Sequence, residues 1–334
     1  MAAQFQVDRV CVFGAGAVGG HLAARLARSH KAEVAVIARG PQLAAIRKSG
    51  VRLVGDNEDF TARPDQATDD PASLPPQDLV LVALKAHQLP AAARAIAGLL
   101  ATRGIAVFLV NGLPWWWPHG DRVLANAPPP ALLDPGGSLS REVRAERTLG
   151  AVVRSANEIT APGVIRNRGA SRFLLGEPDG SASGRLGDVH AFLLGAGIPS
   201  EPTNDLRREV WLKLFVNASG NTVSALTRLD TTTRLEVPGV RDVLIRLTGE
   251  SMAVAAAMGF DLHGEVDPAA LVDGSRPHLR PSTLQDVLAG RTLEIDPLLG
   301  QLQLYARQFD VPTPTIDTVL ALLRGLERSI IDGP

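Results

Sequence analysis

The sequence has one cysteine, one tyrosine and only four lysines (Lys31, Lys48, Lys85 and Lys213) among its 34 basic residues. A lone cysteine forms no internal disulfide, which excludes a disulfide-stapled scaffold. Cys11 lies in the apolar run VCVFG and reads as core filler. A formal net charge of −1 and the lack of any basic run exclude the electrostatic footprint of a nucleic-acid binder. No apolar stretch reaches the roughly 20 residues of a membrane span, and MAAQFQVDRV lacks the charged-then-apolar profile of a signal peptide. The expectation is a cytoplasmic protein with no membrane or nucleic-acid partner. The seven histidines show no metal-ligand spacing, and neither HExxH nor a GxSxG elbow occurs, so no metal site is expected.

With 45% apolar side chains over 334 residues, the chain can bury two modest cores. Apolar runs at 9–14, 33–38, 78–85 and 105–112 alternate with segments of helical spacing at 17–29 and 88–100. This alternation predicts α/β architecture with a parallel sheet covered on both faces. Runs at 150–159, 163–169 and 171–176 read as consecutive strands, an amphipathic helix follows through Leu186, Val189, Phe192 and Leu193, and PPP at 128–130 reads as a loop. Prolines in IPSEPTND mark a boundary near 200, beyond which the spacing is helical almost throughout. Two domains are expected, 1–200 and an all-α 201–334.

Gly14-Ala-Gly16-Ala-Val-Gly19 directly follows the first strand and opens the first helix. Gly14 permits a tight turn, Gly16 lets backbone approach a pyrophosphate, and Gly19 allows close helix–strand packing, so a dinucleotide is expected at the positive end of the helix. The second strand ends in VIARG, where an NAD-binding chain carries a carboxylate for the ribose 2′-hydroxyl. Arg39 suits a 2′-phosphate instead, which favours NADP(H); the plainer reading of Arg39 is a surface charge.

In a chain that prefers arginine, the lysine of WLKLFVNASGN (211–221) needs a reason. At 100° per residue Lys213, Asn217 and Asn221 share one helical stripe, opposite Trp211, Leu214, Phe215 and Ala218. Asparagine is a poor helix former, so the stripe suggests hydrogen-bonding work, unless all three face solvent. An ammonium can be tuned by burial and donate a proton, which a guanidinium cannot. Ser282-Thr-Leu-Gln285 reads as a capping box on a helix that stops at Gly290, and Asp296-Pro297 as an N-cap with proline at the first helical position. His87 reads as a helix-start residue.

WLKLFVNASGN resembles the active-site helix of the ketopantoate reductase (2-dehydropantoate 2-reductase) family, and STLQDVLAGRTLEID (282–296) resembles a second family motif. With the glycine motif, LKAHQ (84–88) and VNG (110–112), the resemblance runs in order from about residue 9 to 315. It implies an NADPH-dependent reductase of a 2-oxo acid, with a Rossmann-like N-terminal domain, a helical C-terminal domain and a cleft between them. Lys213 matches the family's general acid, Asn217 and Asn221 its substrate asparagines, and Asn111 a position close to cofactor and substrate. Lys85 matches a second lysine near the cofactor, Ser282 a substrate-contacting serine, and Glu294 an active-site glutamate that could orient or tune the lysine. The alternatives are a surface charge for Lys85 and a surface pair with Arg291 for Glu294.

Leu299 and Leu279 depart from residues common in the family, which bears on substrate choice. NGLPWWWPHG (111–120) holds three of the four tryptophans. The run looks too bulky for one core, so at least one ring is expected in the cleft, a lid or a subunit contact, as in a homodimer. A cleft wall would suit a bulkier 2-oxo acid than ketopantoate. A third reading, a non-catalytic NADP(H) sensor, would need none of Lys213, Asn217, Asn221 and Glu294.

Overall fold

The structure is a computed structural model and describes residues 5–124, 130–273 and 278–333. Ten strands form one sheet: β1 (Arg9–Phe13), β2 (Glu33–Ile37), β3 (Val51–Val54), β4 (Asp59–Ala62), β5 (Gln66–Thr68), β6 (Gln77–Val82), β7 (Leu100–Phe108), β8 (Thr148–Ala161), β9 (Val164–Gly176) and β10 (Ser200–Pro202). Their order is β4-β3-β9-β8-β7-β6-β1-β2-β5, with β10 on β9. Among the described residues only β3–β4 and β8–β9 are antiparallel pairs.

The central strands are near-continuous apolar runs because both their faces are covered. Cys11, Phe13, Val80, Val82, Ala106 and Phe108 face one cluster, and their neighbours Val10, Val12, Leu79, Leu81, Ile105 and Val107 face the other. The helix Ala17–Ser29 seals the second face with Leu22 and Leu26, and Leu89–Leu99 joins the first through Ala93 and Ile96. The C-terminal helices add Val210, Trp211, Leu214, Leu244, Leu302 and Leu320 to that first cluster, so sheet and helical region share one continuous apolar interior. Buried Cys11 lies within it, and burial pushes its thiol well above the ordinary range.

Several expectations need correction. The segments 163–169 and 171–176 are one strand, β9, in a long hairpin with β8. The short strands β3, β4 and β5 escaped detection because few residues in each are buried. The break expected near 200 coincides with β10, and the helical region starts at Leu206. Of the proline run 128–130, only Pro130 falls within the described residues, and it is in coil. Among the described residues no helix is long and apolar enough to cross a membrane.

The tryptophan run is neither cleft wall, lid nor subunit contact, because Trp115, Trp116 and Trp117 are all buried in the core. The run follows turns, with Trp117 N–H donating to Pro114 and His119 N–H to Trp116, and the Trp116 and Trp117 rings stack at 6.1 Å. Trp115 meets Phe108 edge-on at 5.4 Å, and Trp117 meets Trp211 edge-on at 5.6 Å. The Arg207 guanidinium lies 4.9 Å from the Trp117 ring centre and donates to the Trp117 carbonyl at 2.6 Å. The premise that fails is that three indoles are too bulky for one core; all three join the single cluster shared by the sheet and the helical region.

Candidate active site

The parallel registers bring the chemistry to one edge. Phe13 pairs with Val82, Val82 with Phe108, and Phe108 with Gly150. Gly14–Gly16, Lys85 and Asn111 therefore all lie one to three residues past a common line at the carboxyl end of the strands, where open parallel sheets bind ligands. Lys85 and Asn111 sit in loops beyond the strand ends rather than on them.

The glycine loop has the shape its sequence predicts. Gly14 has φ +101°, and a Cβ on Gly19 would lie 1.8 Å from the Gly14 carbonyl oxygen, so neither position admits a side chain without rearrangement. A Cβ on Gly16 would meet nothing within 4 Å. Gly16 precedes the thirteen-residue helix Ala17–Ser29 and faces open space at its positive end, which fits a dinucleotide pyrophosphate. Arg39 is exposed at the end of β2, and among the described residues its guanidinium takes no partner.

Lys213 lies on the helix Leu206–Val216, and its Nζ donates to Asn111 Oδ1 at 2.8 Å, joining residues 102 positions apart. Loss of water around the ammonium pulls its pKa down to about 8, against the opposing pull of Glu294 and with help from the nearby Arg154 charge. The stripe predicted beyond it is modified: residues Asn217–Asn221 form a π-helical turn before the α-helix resumes at Thr222–Thr227. A π turn is wider than 3.6 residues, so Asn221 departs from ideal register with Lys213; such turns concentrate at functional sites. Buried Arg234 donates to the Gly220 carbonyl and, at 2.7 Å, to Ser224 Oγ, which braces the turn. Asn217 is 8% exposed and so is not on a solvated face; among the described residues neither its side-chain amide nor that of Asn221 takes a protein partner.

Lys85 Nζ donates to Asp286 Oδ2 and to Glu294 Oε2, both at 2.8 Å, and Glu294 Oε1 accepts from Ala86 N–H at 3.2 Å. Burial pulls the Lys85 ammonium down, but Glu294 and then Asp286 outweigh it, and the net shift is upward. Lys85 is thus no free surface charge, and Glu294 does not pair with Arg291, whose Nε donates to Asp286 Oδ1 at 2.9 Å. Glu294 holds Lys85 directly and acts on Lys213 through space. Asp286 was missed as a site residue: it stands in the quoted STLQDVLAGRTLEID, but its Lys85 partner is 201 residues away.

Ser282 is no N-cap. Pro281 takes that place without a side-chain cap, and Gln285 donates to the Arg280 carbonyl at 2.9 Å. The proline has no side-chain acceptor but fixes the entry angle, which leaves the half-buried Ser282 hydroxyl without a protein partner among the described residues. Gly290, at φ +64°, ends the helix as expected. Glu294 lies in the loop after it, while Asp296–Gly300 is a second π turn with Ile295, not Asp296, as N-cap. This turn docks on the Asn111 loop: Leu113 N–H donates to the Pro297 carbonyl at 2.8 Å, and a Cβ on Gly112 (φ +79°) would lie 2.1 Å from that oxygen. Leu299 is buried, so its departure from the family pattern lies in the core. Leu279 pairs with Thr231 through the backbone, and His87 is exposed in a one-turn 3₁₀ segment ahead of Leu89–Leu99. Among the described residues no cluster could hold a metal ion.

Two family descriptions match: ketopantoate reductase PanE/ApbA over residues 10–180 and ketopantoate reductase PanE/ApbA C terminal over 205–327. The 2-dehydropantoate 2-reductase of Mesorhizobium japonicum is 38% identical over 95% of this chain and 97% of its own. A crystal structure from Ralstonia solanacearum is 36% identical, with a TM-score of 0.87 over 97% of this chain and 99% of that one. The PanE/ApbA family ketopantoate reductase of Ralstonia eutropha is 29% identical, with a TM-score of 0.79 over the same shares. A D-mandelate dehydrogenase solved with NADH and anilino(oxo)acetate shares the fold, with a TM-score of 0.80 at 18% identity over 97% of this chain and 99% of that one. The two family models together take in residues 10–180 and 205–327, and with the relatives matched over nearly its whole length the chain belongs to the ketopantoate reductase family of NAD(P)-dependent oxidoreductases.

Proposed function

We propose that this chain reduces ketopantoate to pantoate with NADPH, and that Lys213 is the general acid. One observation carries the reading: a half-buried ammonium with a pKa of about 8 sits 2.8 Å from Asn111 at the sheet edge that also carries the glycine loop. When bound, the nicotinamide supplies the hydride that adds to the ketone carbon. Negative charge then grows on the carbonyl oxygen, and Lys213 stabilises that charge and donates its proton to it. Asn111 holds the ammonium in place beforehand through its amide oxygen. Asn217, Asn221 and Ser282 supply unspent polar groups for the hydroxyl and carboxylate of the oxo acid. Glu294 and Asp286 fix Lys85 beside the Asn111 loop, within the cofactor's side of the cleft. Gly14, Gly16 and Gly19 shape the pyrophosphate seat, and Arg39 provides an unpaired guanidinium for the 2′-phosphate. In this reading residues 1–200 bind the cofactor and 201–334 carry the proton donor.

The bulkier-substrate reading rested on tryptophan in the cleft wall, and those rings are in the core. A sensor would not need the Lys213–Asn111 contact or the Lys85 ion pairs. The test follows NADPH oxidation with ketopantoate and a panel of 2-oxo acids, for wild type and Lys213→Ala. Turnover of ketopantoate above the rest, lost in the variant, is expected. Cofactor binding with no turnover of any acid overturns the proposal.

A further inference from the structure

A 2-oxo acid brings one negative charge into the cleft beside Lys213. Three cations at the site are already engaged. Lys85 is held by two carboxylates, Arg291 by Asp286, and Lys213 is needed at the carbonyl oxygen. The helix Ser282–Leu288 has seven residues and contributes little as a dipole. We infer that Arg154 supplies the charged contact to the carboxylate of the oxo acid, beside the neutral donors of Ser282 and the asparagines, with Glu209 holding its guanidinium in position. The inference rests on the reductase reading above.

Gly150 lies on the common line of the strand registers, which puts Arg154 four residues past it, on the side of the sheet edge that carries the glycine loop, Lys85 and Asn111. Along β8, Ala151 and Val153 face the cluster that holds Leu22 and Leu26, whereas Val152 packs with Val210, Trp211 and Leu214. Arg154 shares the face of Val152 and so points toward the helix that carries Lys213. It meets that helix: Nη2 donates to Glu209 Oε2 at 3.1 Å, and Glu209 stands one turn before Lys213. The Arg154 charge is near enough to Lys213 to lower its proton affinity.

Arg172 gives the contrast. It lies directly opposite Arg154 across the hairpin, and Glu201 engages it through both Nε and Nη2. Arg154 makes one contact with its acid and keeps Nε and Nη1 for another. Its side chain is 46% exposed, so a ligand can reach it. Arg208 pairs with Glu265 and also donates from Nη1 to Glu209 Oε1 at 3.4 Å, so Glu209 is held from two sides.

The experiment measures saturation kinetics with ketopantoate and with its neutral methyl ester, for wild type, Arg154→Gln, Arg154→Lys and the control Arg172→Gln. Arg154→Gln is expected to raise KM for the acid by about 10- to 100-fold, the size of a lost charge-assisted hydrogen bond. KM for the ester and for NADPH should stay within about twofold of wild type, so the preference for acid over ester collapses. Arg154→Lys should recover part of that preference, and Arg172→Gln should change neither value. Equal KM for the acid in Arg154→Gln and wild type overturns the inference, as does a parallel loss on acid and ester, which would mark a structural salt bridge. A wild type that reduces no 2-oxo acid instead fails the functional reading itself, together with this inference. If wild type reduces a different 2-oxo acid, the same comparison is read on that acid and its ester.

Discussion

Exchanging Lys213 for methionine should set stability against activity. In the unfolded chain this ammonium has its ordinary pKa near 10.5, and in the folded protein burial lowers it to about 8. The folded state therefore binds the proton less tightly, and carrying the charge costs stability below pH 8. The full lowering corresponds to about 3 kcal/mol; since the side chain keeps some contact with water, about 2 kcal/mol is the working figure. The penalty is fully present below pH 8 and fades as pH rises toward 10.5. Lys213→Met keeps most of the aliphatic stem and removes the charge, so urea denaturation should show it more stable than wild type by about 2 kcal/mol at pH 7. The advantage should be gone at pH 10.5. Turnover should move the other way, falling by about 10²–10⁴ with the proton donor absent. In wild type the rate should hold below pH 8 and decline above it as the ammonium is lost. A variant less stable than wild type at pH 7, or a wild-type rate that declines only near pH 10.5, would refute the argument that burial tunes this lysine.

Three other substitutions test other parts of the site. Lys85→Met leaves buried Glu294 without its cation, while buried Asp286 keeps Arg291, and should destabilise the protein by about 3 kcal/mol in urea at pH 7; a loss under about 1 kcal/mol would show that the carboxylates find water. Gly16→Val should leave the melting temperature unchanged but abolish NADPH binding in a fluorescence titration, whereas Gly19→Val should lower the melting temperature, since its Cβ meets the Gly14 carbonyl. Arg39→Ala should raise KM for NADPH by about 10-fold or more and leave KM for NADH within about twofold; equal effects on both would remove Arg39 from 2′-phosphate recognition.

Much of this was legible because its signals are local. The helix Ala17–Ser29 matches the residues its apolar spacing selects, and the three glycines have the turn, open approach and close packing that their positions require. Lys213 was legible because lysine is rare in this composition. Asp286 was not, since nothing within STLQDVLAGRTLEID indicates a partner on the far side of the cleft. The π turn at Asn217–Asn221 was invisible to an ideal-helix stripe, because one extra residue per turn leaves no mark in composition. Ser282 was misassigned because the serine–glutamine spacing fits a capping box equally well when the helix starts one residue earlier. The tryptophan run misled because three indoles were judged too bulky for one core, whereas the sheet and the helical region pool their apolar faces into a cluster that holds all of them.

The packed indoles also constrain how the molecule can move. Trp115–Trp117 continue from the loop that carries Asn111, and Trp117 rests against Trp211, two residues from Lys213. Pulling that loop away from the helix Leu206–Val216 would tear an aromatic interior open to water, so the Lys213 ammonium and the Asn111 amide that accepts from it must travel together. A breathing cleft would have to hinge on this wedge and gape elsewhere, leaving the alignment of ammonium and amide unchanged as ligands come and go.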